Sequence, residues 1–216
     1  DPATGVMSFV AAPDFETKSE YQATLTVSDG SFTSSTALSV TINDLNDNVP
    51  EFTTSLTFST PEEETSIGIV QATDADANTQ ITYSTDSDVI AVGNTSGELN
   101  FLITTDYESV AQYVFNISAS DGDNITTEAI TINIENINDN APKISSLPTF
   151  RADENQTSIG QVEASDADGD TLSYSISSSD ITIDSATGTL TFLAPPDYEI
   201  QSSYTATVSV SDGLFS

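Results

Sequence analysis

The sequence predicts an all-β protein made of tandem Greek-key β-sandwich repeats of about 92 residues each. Apolar and polar residues alternate with period two over several stretches, and no stretch carries a sustained helical period. Short acidic strings also recur at a fixed interval. Asp74-Ala75-Asp76 returns as Asp166-Ala167-Asp168 after 92 residues. An interval of this length fits a stack of small domains better than a solenoid of roughly 20–50-residue units.

The alternating stretches predict antiparallel strands with one buried and one solvated face. One apolar stripe occurs three times, at residues 21–27, 113–119 and 204–210. A second stripe occurs at residues 38–42 and 130–134. Their β-branched residues favour strands, and Asp-Gly and Ser-Gly pairs between them mark turns. We therefore expect short strands joined by tight turns, as in a β-sandwich.

The repeat interval also divides the chain. Residues 1–48 correspond to the second half of a repeat, residues 49–140 to a complete repeat, and residues 141–216 to a repeat without its last strand. On this reading we expect the chain to be part of a longer protein and its last repeat to be unstable alone.

The composition limits the function. The chain has 34 acidic and three basic residues, a net charge of −31, and neither cysteine nor histidine. Nucleic acids and anionic membranes need basic patches, so neither is an expected partner. No apolar run is long enough to span a membrane, and the chain offers none of the nitrogen and sulfur ligands that zinc prefers.

The recurring acidic strings indicate a calcium site. Calcium takes six to eight oxygen ligands, and carboxylates two residues apart, as in Asp166 and Asp168, can face one side of an extended segment. Two carboxylates about 4 Å apart repel by roughly 4 kcal/mol at an effective dielectric near 20. Several of them gathered in one place therefore need cations. Magnesium would use fewer protein ligands, which makes calcium the better match.

These strings resemble the calcium-binding motifs of cadherin repeats, in particular the cadherin-like repeats of large bacterial surface and adhesin proteins. The linker motif DxNDNxP is matched by residues 44–50, the DxD motif by the Asp-Ala-Asp strings, and the Asp-Arg-Glu motif by Asp106-Tyr107-Glu108. The glutamate near the start of a repeat is matched by Glu62, with Glu63 as the alternative. Two positions depart from the family pattern: the second linker begins with Asn136 instead of Asp, and Tyr107 replaces the usual Arg.

The resemblance implies three calcium ions at each junction between repeats. At the second junction the implied ligands are Glu62, Asp106, Glu108, Asn138, Asp139, Asn140, Asp166, Asp168 and Asp212. At the first junction they are Asp14, Glu16, Asn46, Asp47, Asn48, Asp74, Asp76 and Asp121, with Asn78 as a further carbonyl donor. The initial glutamate of that junction would precede residue 1, so weaker binding is expected there. A third, half-complete set consists of Glu154, Asp197 and Glu199.

The expected function is a non-enzymatic, calcium-rigidified extracellular spacer of a large cell-surface adhesion protein. Calcium at such sites binds too weakly to be held at cytosolic concentrations, which argues for an extracellular location. The expected partners are neighbouring repeats, with a second copy of the protein or a surface glycan as further candidates. Two alternatives remain: the repeats are themselves the adhesive surface, or they are an accessory module of a secreted enzyme. An acid pair repeated in every unit argues against an active site.

Overall fold

The structure is a computed structural model that describes residues 1–77 and 79–216. All regular elements in these residues are β-strands, which confirms the predicted fold class. The strands form two compact units. Unit 1 comprises residues 1–105 and 112–134, and unit 2 comprises residues 106–111 and 135–216. The repeat boundaries proposed at residues 48/49 and 140/141 stay a prediction.

Unit 1 is a β-sandwich preceded by a hairpin. Its strands are β1 (Glu20–Ser28), β2 (Thr33–Thr41), β3 (Glu51–Phe52), β4 (Thr57–Pro61), β5 (Ser66–Ile69), β6 (Ala72–Thr73), β7 (Thr82–Thr85), β8 (Ile90–Val92), β9 (Glu98–Phe101), β10 (Gln112–Ser120) and β11 (Ile125–Glu135). One sheet has the order β4-β11-β10-β7 and the other the order β5-β9-β8. β3 pairs with β6, and β1 pairs with β2.

The period-two pattern builds the core of this sandwich. β10 and β11 are antiparallel, with Phe115 opposite Ile130 and Tyr113 opposite Ile132. Ile130 and Ile132 are 0% exposed, and they share one core with Leu99 of the facing sheet. Burying a side chain of this size stabilises the fold by about 1.5–3 kcal/mol. The loops that carry the acidic residues are thereby attached to a rigid scaffold.

The β1–β2 hairpin has the same pattern but a different environment. Its strands are formed as predicted, yet Leu25 is 45% and Val27 64% exposed. The expectation of a buried apolar face is therefore wrong for this hairpin. Tyr21 packs edge-on against Phe9, with ring centroids 5.1 Å apart. Corresponding pairs in the next two repeats have centroids 5.2 Å and 5.0 Å apart.

Unit 2 contains β12 (Lys143–Ile144), β13 (Ser158–Gln161), β14 (Ala164–Ser165), β15 (Ser173–Ser177), β16 (Ile181–Ile183), β17 (Thr189–Phe192) and β18 (Thr207–Ser211). Its sheets have the orders β13-β17-β16, β15-β18 and β12-β14. Val162, Leu190 and Phe192 are buried in it. The strand predicted at residues 204–210 starts only at Thr207. In the described part of unit 2, β18 pairs with β15 alone, and that pairing begins there.

A turn that contains a glycine directly precedes the central strand of each three-stranded sheet. Gly97 precedes β9 with φ of +71°, and Gly188 precedes β17 with φ of +72°. A Cβ atom on Gly97 would lie 2.1 Å from the Val70 carbonyl oxygen, and one on Gly188 would lie 2.4 Å from that of Val162. Glycine is therefore required here for both conformation and space.

Candidate metal centre

The first acidic cluster lies in unit 1, where loops from four parts of the sequence meet. Side-chain oxygens of Glu16, Asp47 and Asp76 lie within 4.8 Å of one another, and so do those of Asp74, Asp76 and Asp121. Asp76 belongs to both groups. Residue 16 precedes β1, residue 47 lies in the linker, residues 74 and 76 follow β6, and residue 121 follows β10. The structure thus brings together most of the ligands predicted for the first junction.

Hydrogen bonds fix these carboxylates in place. The backbone amide of Asn48 donates to Asp76 Oδ2 at 2.9 Å, and its side-chain nitrogen donates to Asp76 Oδ1 at 2.6 Å. The Asp76 amide donates to Asp74 Oδ1 at 2.9 Å. The Ala77 amide donates to Asp44 Oδ2 at 2.8 Å. The linker and the DxD loop are therefore bonded directly to each other.

The pKa values of the cluster reflect these contacts. Burial acts to raise the pKa of Asp76, but hydrogen bonds led by those from Asn48 lower it overall. Burial of Asp121 is likewise outweighed, chiefly by amides of the turn that ends at Asn124, so its pKa is lowered. For Glu16, a backbone amide acts to lower the pKa, but burial and nearby carboxylates such as Asp44 raise it overall. The raised pKa of Glu16 therefore reflects, in part, the repulsion from neighbouring carboxylates.

Buried side-chain oxygens that lack a hydrogen-bond partner among the described residues indicate whether a cation fits these clusters. Asp74 Oδ2 and Asp44 Oδ1 in unit 1 are buried and have no hydrogen-bond partner in the part of the chain that the structure describes, and the same is true of Asn138 Oδ1, Asp166 Oδ2 and Asp212 Oδ2 in unit 2. In each of these four aspartates the other oxygen accepts a backbone amide. Buried polar atoms normally have partners, and all five of these atoms are oxygens. The donor set fits a hard cation such as calcium.

The second acidic cluster lies in unit 2 and repeats this arrangement. Oxygens of Glu108, Asp139 and Asp168 lie within 4.8 Å of one another. Asn140 donates to Asp168 from its backbone at 2.9 Å and from its side chain at 2.8 Å. The Asp168 amide donates to Asp166 Oδ1 at 3.0 Å. Burial acts to raise the pKa of Asp168, but hydrogen bonds led by those from Asn140 lower it overall.

Asp14 and Asp106 hold the turns from which the glutamates project. The Thr17 amide donates to Asp14 at 3.1 Å and its hydroxyl at 2.9 Å, and Ser109 gives Asp106 the same pair of bonds at the same distances. These hydrogen bonds lower the pKa of both aspartates. Both oxygens therefore have turn-forming partners, which leaves lone pairs for a cation but gives these residues a structural role as well.

Burial distinguishes the two candidate glutamates at the start of the middle repeat. Glu62 follows β4 and is 1% exposed, whereas Glu63 is exposed and has a positive φ of 63°. Asn155, the counterpart of Glu63 in the next repeat, has φ of 62°, which aligns Glu62 with Glu154. These observations favour Glu62.

The third predicted set also meets in space. Oxygens of Glu154, Asp197 and Glu199 lie within 4.8 Å of one another in unit 2, and all three residues are exposed. The Tyr198 amide donates to Glu154 Oε2 at 3.0 Å. The Asp-aromatic-Glu string and the early glutamate therefore form one loop cluster.

Asn46 can serve the first cluster in either orientation of its amide. In one orientation its nitrogen donates to Asp76 Oδ2 at 2.9 Å and Asp121 Oδ2 at 3.1 Å. In the other, its side-chain oxygen lies beside these carboxylate oxygens. Asn78, the further carbonyl donor predicted from the sequence, lies outside the described residues.

Two residues of the site were missed at the sequence level. Asp44 has a buried oxygen for which the described structure shows no hydrogen-bond partner, and its place at the head of the linker motif was an available signal. Its counterpart Asn136 donates instead to the Asp168 carbonyl oxygen at 2.8 Å. Asn124 donates to the Asn48 carbonyl oxygen at 2.7 Å and braces the linker. Its counterpart in the preceding repeat is a phenylalanine, so the repeat pattern contained no signal for it.

Comparisons with known proteins agree with this architecture. The Cadherin domain family model matches residues 148–215. Human Protocadherin Fat 1 is 31% identical over 241 residues, an alignment that covers 98% of this chain and 5% of that protein. The crystal structure of mouse Cadherin-23 EC22-24 is 26% identical, with a TM-score of 0.74, and covers 94% of this chain and 72% of that one. Protocadherin gammaB7 EC3-6, solved as a cis-dimer, shares the fold at 23% identity and a TM-score of 0.76, covering 93% and 56% of the two chains.

The fold and these likenesses define first a class, that of extracellular β-sandwich repeats of cell-surface adhesion proteins. Within this class, the chain belongs to the cadherin family. Its relatives are adhesion proteins and not enzymes, although the chain spans only about 5% of the length of Protocadherin Fat 1. A search of the described residues for a helix long and apolar enough to cross a membrane found none.

Proposed function

We propose that this chain binds calcium through the carboxylate and amide oxygens of its acidic clusters, and that calcium binding stiffens the connection between successive repeats. One observation carries the proposal. Within the described residues, buried oxygens of Asp44, Asp74, Asp166 and Asp212 have no hydrogen-bond partner, although the other oxygen of each is fixed by a backbone amide. An anionic oxygen buried in this way is stabilised by a nearby positive charge.

The chain contributes position and charge. Asn48 orients Asp76 through two hydrogen bonds, and Asn140 orients Asp168 in the same way. Bound calcium would supply the positive charge that offsets repulsion among the carboxylates. Because the hydrogen bonds already hold the oxygens close together, little ordering of these side chains is needed on binding.

The stiffening follows from where the ligands lie in the sequence. In unit 1, Glu16 and Asp47 precede the proposed boundary at residues 48/49, whereas Asp74, Asp76 and Asp121 follow it. One cation shared among them would tie residues 1–48 to residues 49–140. Extracellular calcium modules typically bind at ~0.1–1 mM, which suits a cell-surface spacer that is loaded only outside the cell.

Calorimetric titration with calcium tests the binding. We expect heat from the wild-type chain, and at least about tenfold weaker binding at the affected cluster in the Asp166→Asn variant. Glu128→Gln is the matched control, since it removes one charge from an exposed position of β11. If all three proteins titrate alike, Asp166 and the second acidic cluster do not hold calcium. Small-angle scattering with and without chelator then tests the spacer role, which an unchanged maximum dimension would contradict.

Adhesion to a second copy is the other candidate function. It is motivated by Protocadherin gammaB7 EC3-6, which shares this fold and was solved as a cis-dimer. Sedimentation in calcium over a range of protein concentrations tests this role, and a monomer at all concentrations would contradict it.

A further inference from the structure

Four asparagines of this chain lie in Asn-x-Ser/Thr sequences, the acceptor pattern for N-linked glycans in proteins that pass through a secretory pathway. They are Asn94, Asn116, Asn124 and Asn155. In a chain so rich in serine and threonine the pattern alone is weak. The structure separates one of the four from the others. We propose that Asn155 is the N-glycan acceptor of this chain.

The side-chain amides of the other three asparagines are engaged in the fold. Asn94 donates to the Tyr83 carbonyl oxygen at 3.4 Å, and Asn116 donates to Asp86 Oδ2 at 2.7 Å. Asn124 donates to the Asn48 carbonyl oxygen at 2.7 Å and belongs to the first acidic cluster. A sugar on any of these nitrogens would disturb a contact that supports a strand or a linker.

Asn155, in contrast, lies in an exposed segment of the chain. Residues 151–158 are all exposed, and Asn155 lies on the turn before β13. Its backbone amide donates to the Pro196 carbonyl oxygen at 2.9 Å, so the turn is anchored. Its φ of 62° places it in the left-handed region, which asparagine tolerates better than most residues. The described structure shows no hydrogen bond from its side chain.

The third residue of the acceptor sequence fits as well. Thr157 is exposed and precedes β13, while its carbonyl oxygen accepts the Phe192 amide at 2.8 Å. Its hydroxyl is thus available for recognition, whereas the hydroxyl of Ser118, in the Asn116 sequence, pairs with Thr127 at 2.8 Å. The Asn155 turn accordingly presents both parts of the acceptor sequence to solvent.

The co-substrate is an oligosaccharide linked through pyrophosphate to a membrane lipid. Nδ2 of Asn155 forms a bond to the anomeric carbon of the sugar and loses a proton, while the bond between that carbon and the pyrophosphate oxygen breaks. The lipid pyrophosphate leaves and no oxidation occurs. The finished glycan would stand beside Glu154, next to the exposed Glu154, Asp197 and Glu199 cluster.

The test is secretion of the full chain from animal cells, followed by intact-mass measurement before and after enzymatic removal of N-glycans. We expect the wild-type mass to exceed the polypeptide mass by one glycan. The excess should be absent in Asn155→Gln and Thr157→Ala and retained in Asn116→Gln. Equal melting temperatures of the wild-type chain after glycan removal and of Asn155→Gln would show that the variant is folded.

Two outcomes would overturn the proposal. One is a secreted wild-type chain without a glycan. The other is an excess mass that survives Asn155→Gln and disappears in Asn94→Gln, Asn116→Gln or Asn124→Gln. Neither result bears on calcium binding, because Asn155 is not among the residues assigned to the metal clusters.

Discussion

The substitution Asp74→Asn tests whether Asp74 is a metal ligand or has only a structural role, because its two oxygens have different environments. Oδ1 accepts the Asp76 amide at 2.9 Å, whereas Oδ2 is buried and has no hydrogen-bond partner among the described residues. Asparagine keeps the shape and the Oδ1 acceptor but replaces Oδ2 with an amide nitrogen. The substitution therefore preserves the turn and removes one ligand and one negative charge from the first cluster.

The size of the effect follows from linkage. Calcium at ten times the wild-type dissociation constant stabilises the folded chain by about 1.4 kcal/mol per site. Loss of a ligand weakens metal binding by at least about tenfold, which leaves about 0.4 kcal/mol at the same calcium concentration. The difference of about 1 kcal/mol corresponds to a decrease of about 2–4 °C in melting temperature for a chain of this size.

In the presence of chelator, the effect of Asp74→Asn on the melting temperature should change sign. Oxygens of Asp74, Asp76 and Asp121 lie within 4.8 Å of one another, so removal of one charge relieves repulsion when no cation is present. The melting temperature of Asp74→Asn should then equal or exceed that of the wild-type chain. Thermal unfolding followed by circular dichroism measures both conditions, with Glu128→Gln as the charge-matched control. A similar loss of stability in calcium and in chelator would refute the assignment of Asp74 as a ligand.

Two further predictions concern the scaffold. Gly97→Ala should destabilise the chain by more than the ~1–3 kcal/mol expected for backbone strain alone, because its Cβ would also lie 2.1 Å from a carbonyl oxygen. Gly5→Ala is the control, because Gly5 has a similar φ of +70° and open space around it. In urea unfolding, Gly5→Ala should show the cost of backbone strain alone. Hydrogen bonds from the Asn116 amide and side chain lower the pKa of Asp86, so its stabilising contribution should be present above the ordinary carboxyl pKa of about 4 and disappear as pH falls through the lower folded value. The difference in unfolding free energy between wild type and Asp86→Asn should shrink over that acidic range, and a difference independent of pH would contradict this.

The strands of the middle repeat could be predicted because each one reflects local alternation. The stripe at residues 113–119 became β10, and the stripe at 130–134 became part of β11. The same alternation could not predict burial. Ile132 is 0% exposed whereas Val27 is 64% exposed, because β11 is covered by the sheet of β5, β9 and β8, while in the described residues β1 forms a two-stranded sheet with β2.

For the acidic clusters, too, some features could be predicted from the sequence and others could not. Recurrence at a fixed interval predicted which carboxylates are grouped, and oxygens of Glu16, Asp47 and Asp76 lie within 4.8 Å of one another. Recurrence could not identify Asn124, whose counterpart in the preceding repeat has a different side chain. It also could not show that Asp14 and Asp106 direct both oxygens into their own turns.

The amino-acid sequence by itself determined the strand pattern, the repeat interval and the identity of the acidic groups, since these depend on residue types and their spacing along the chain. Only the tertiary structure decided which apolar faces are covered and which oxygens of Asp44, Asp74, Asp166 and Asp212 are buried with no hydrogen-bond partner in residues 1–77 and 79–216. Burial and hydrogen bonding are properties of segments that are distant in sequence and meet only when the sheets pack.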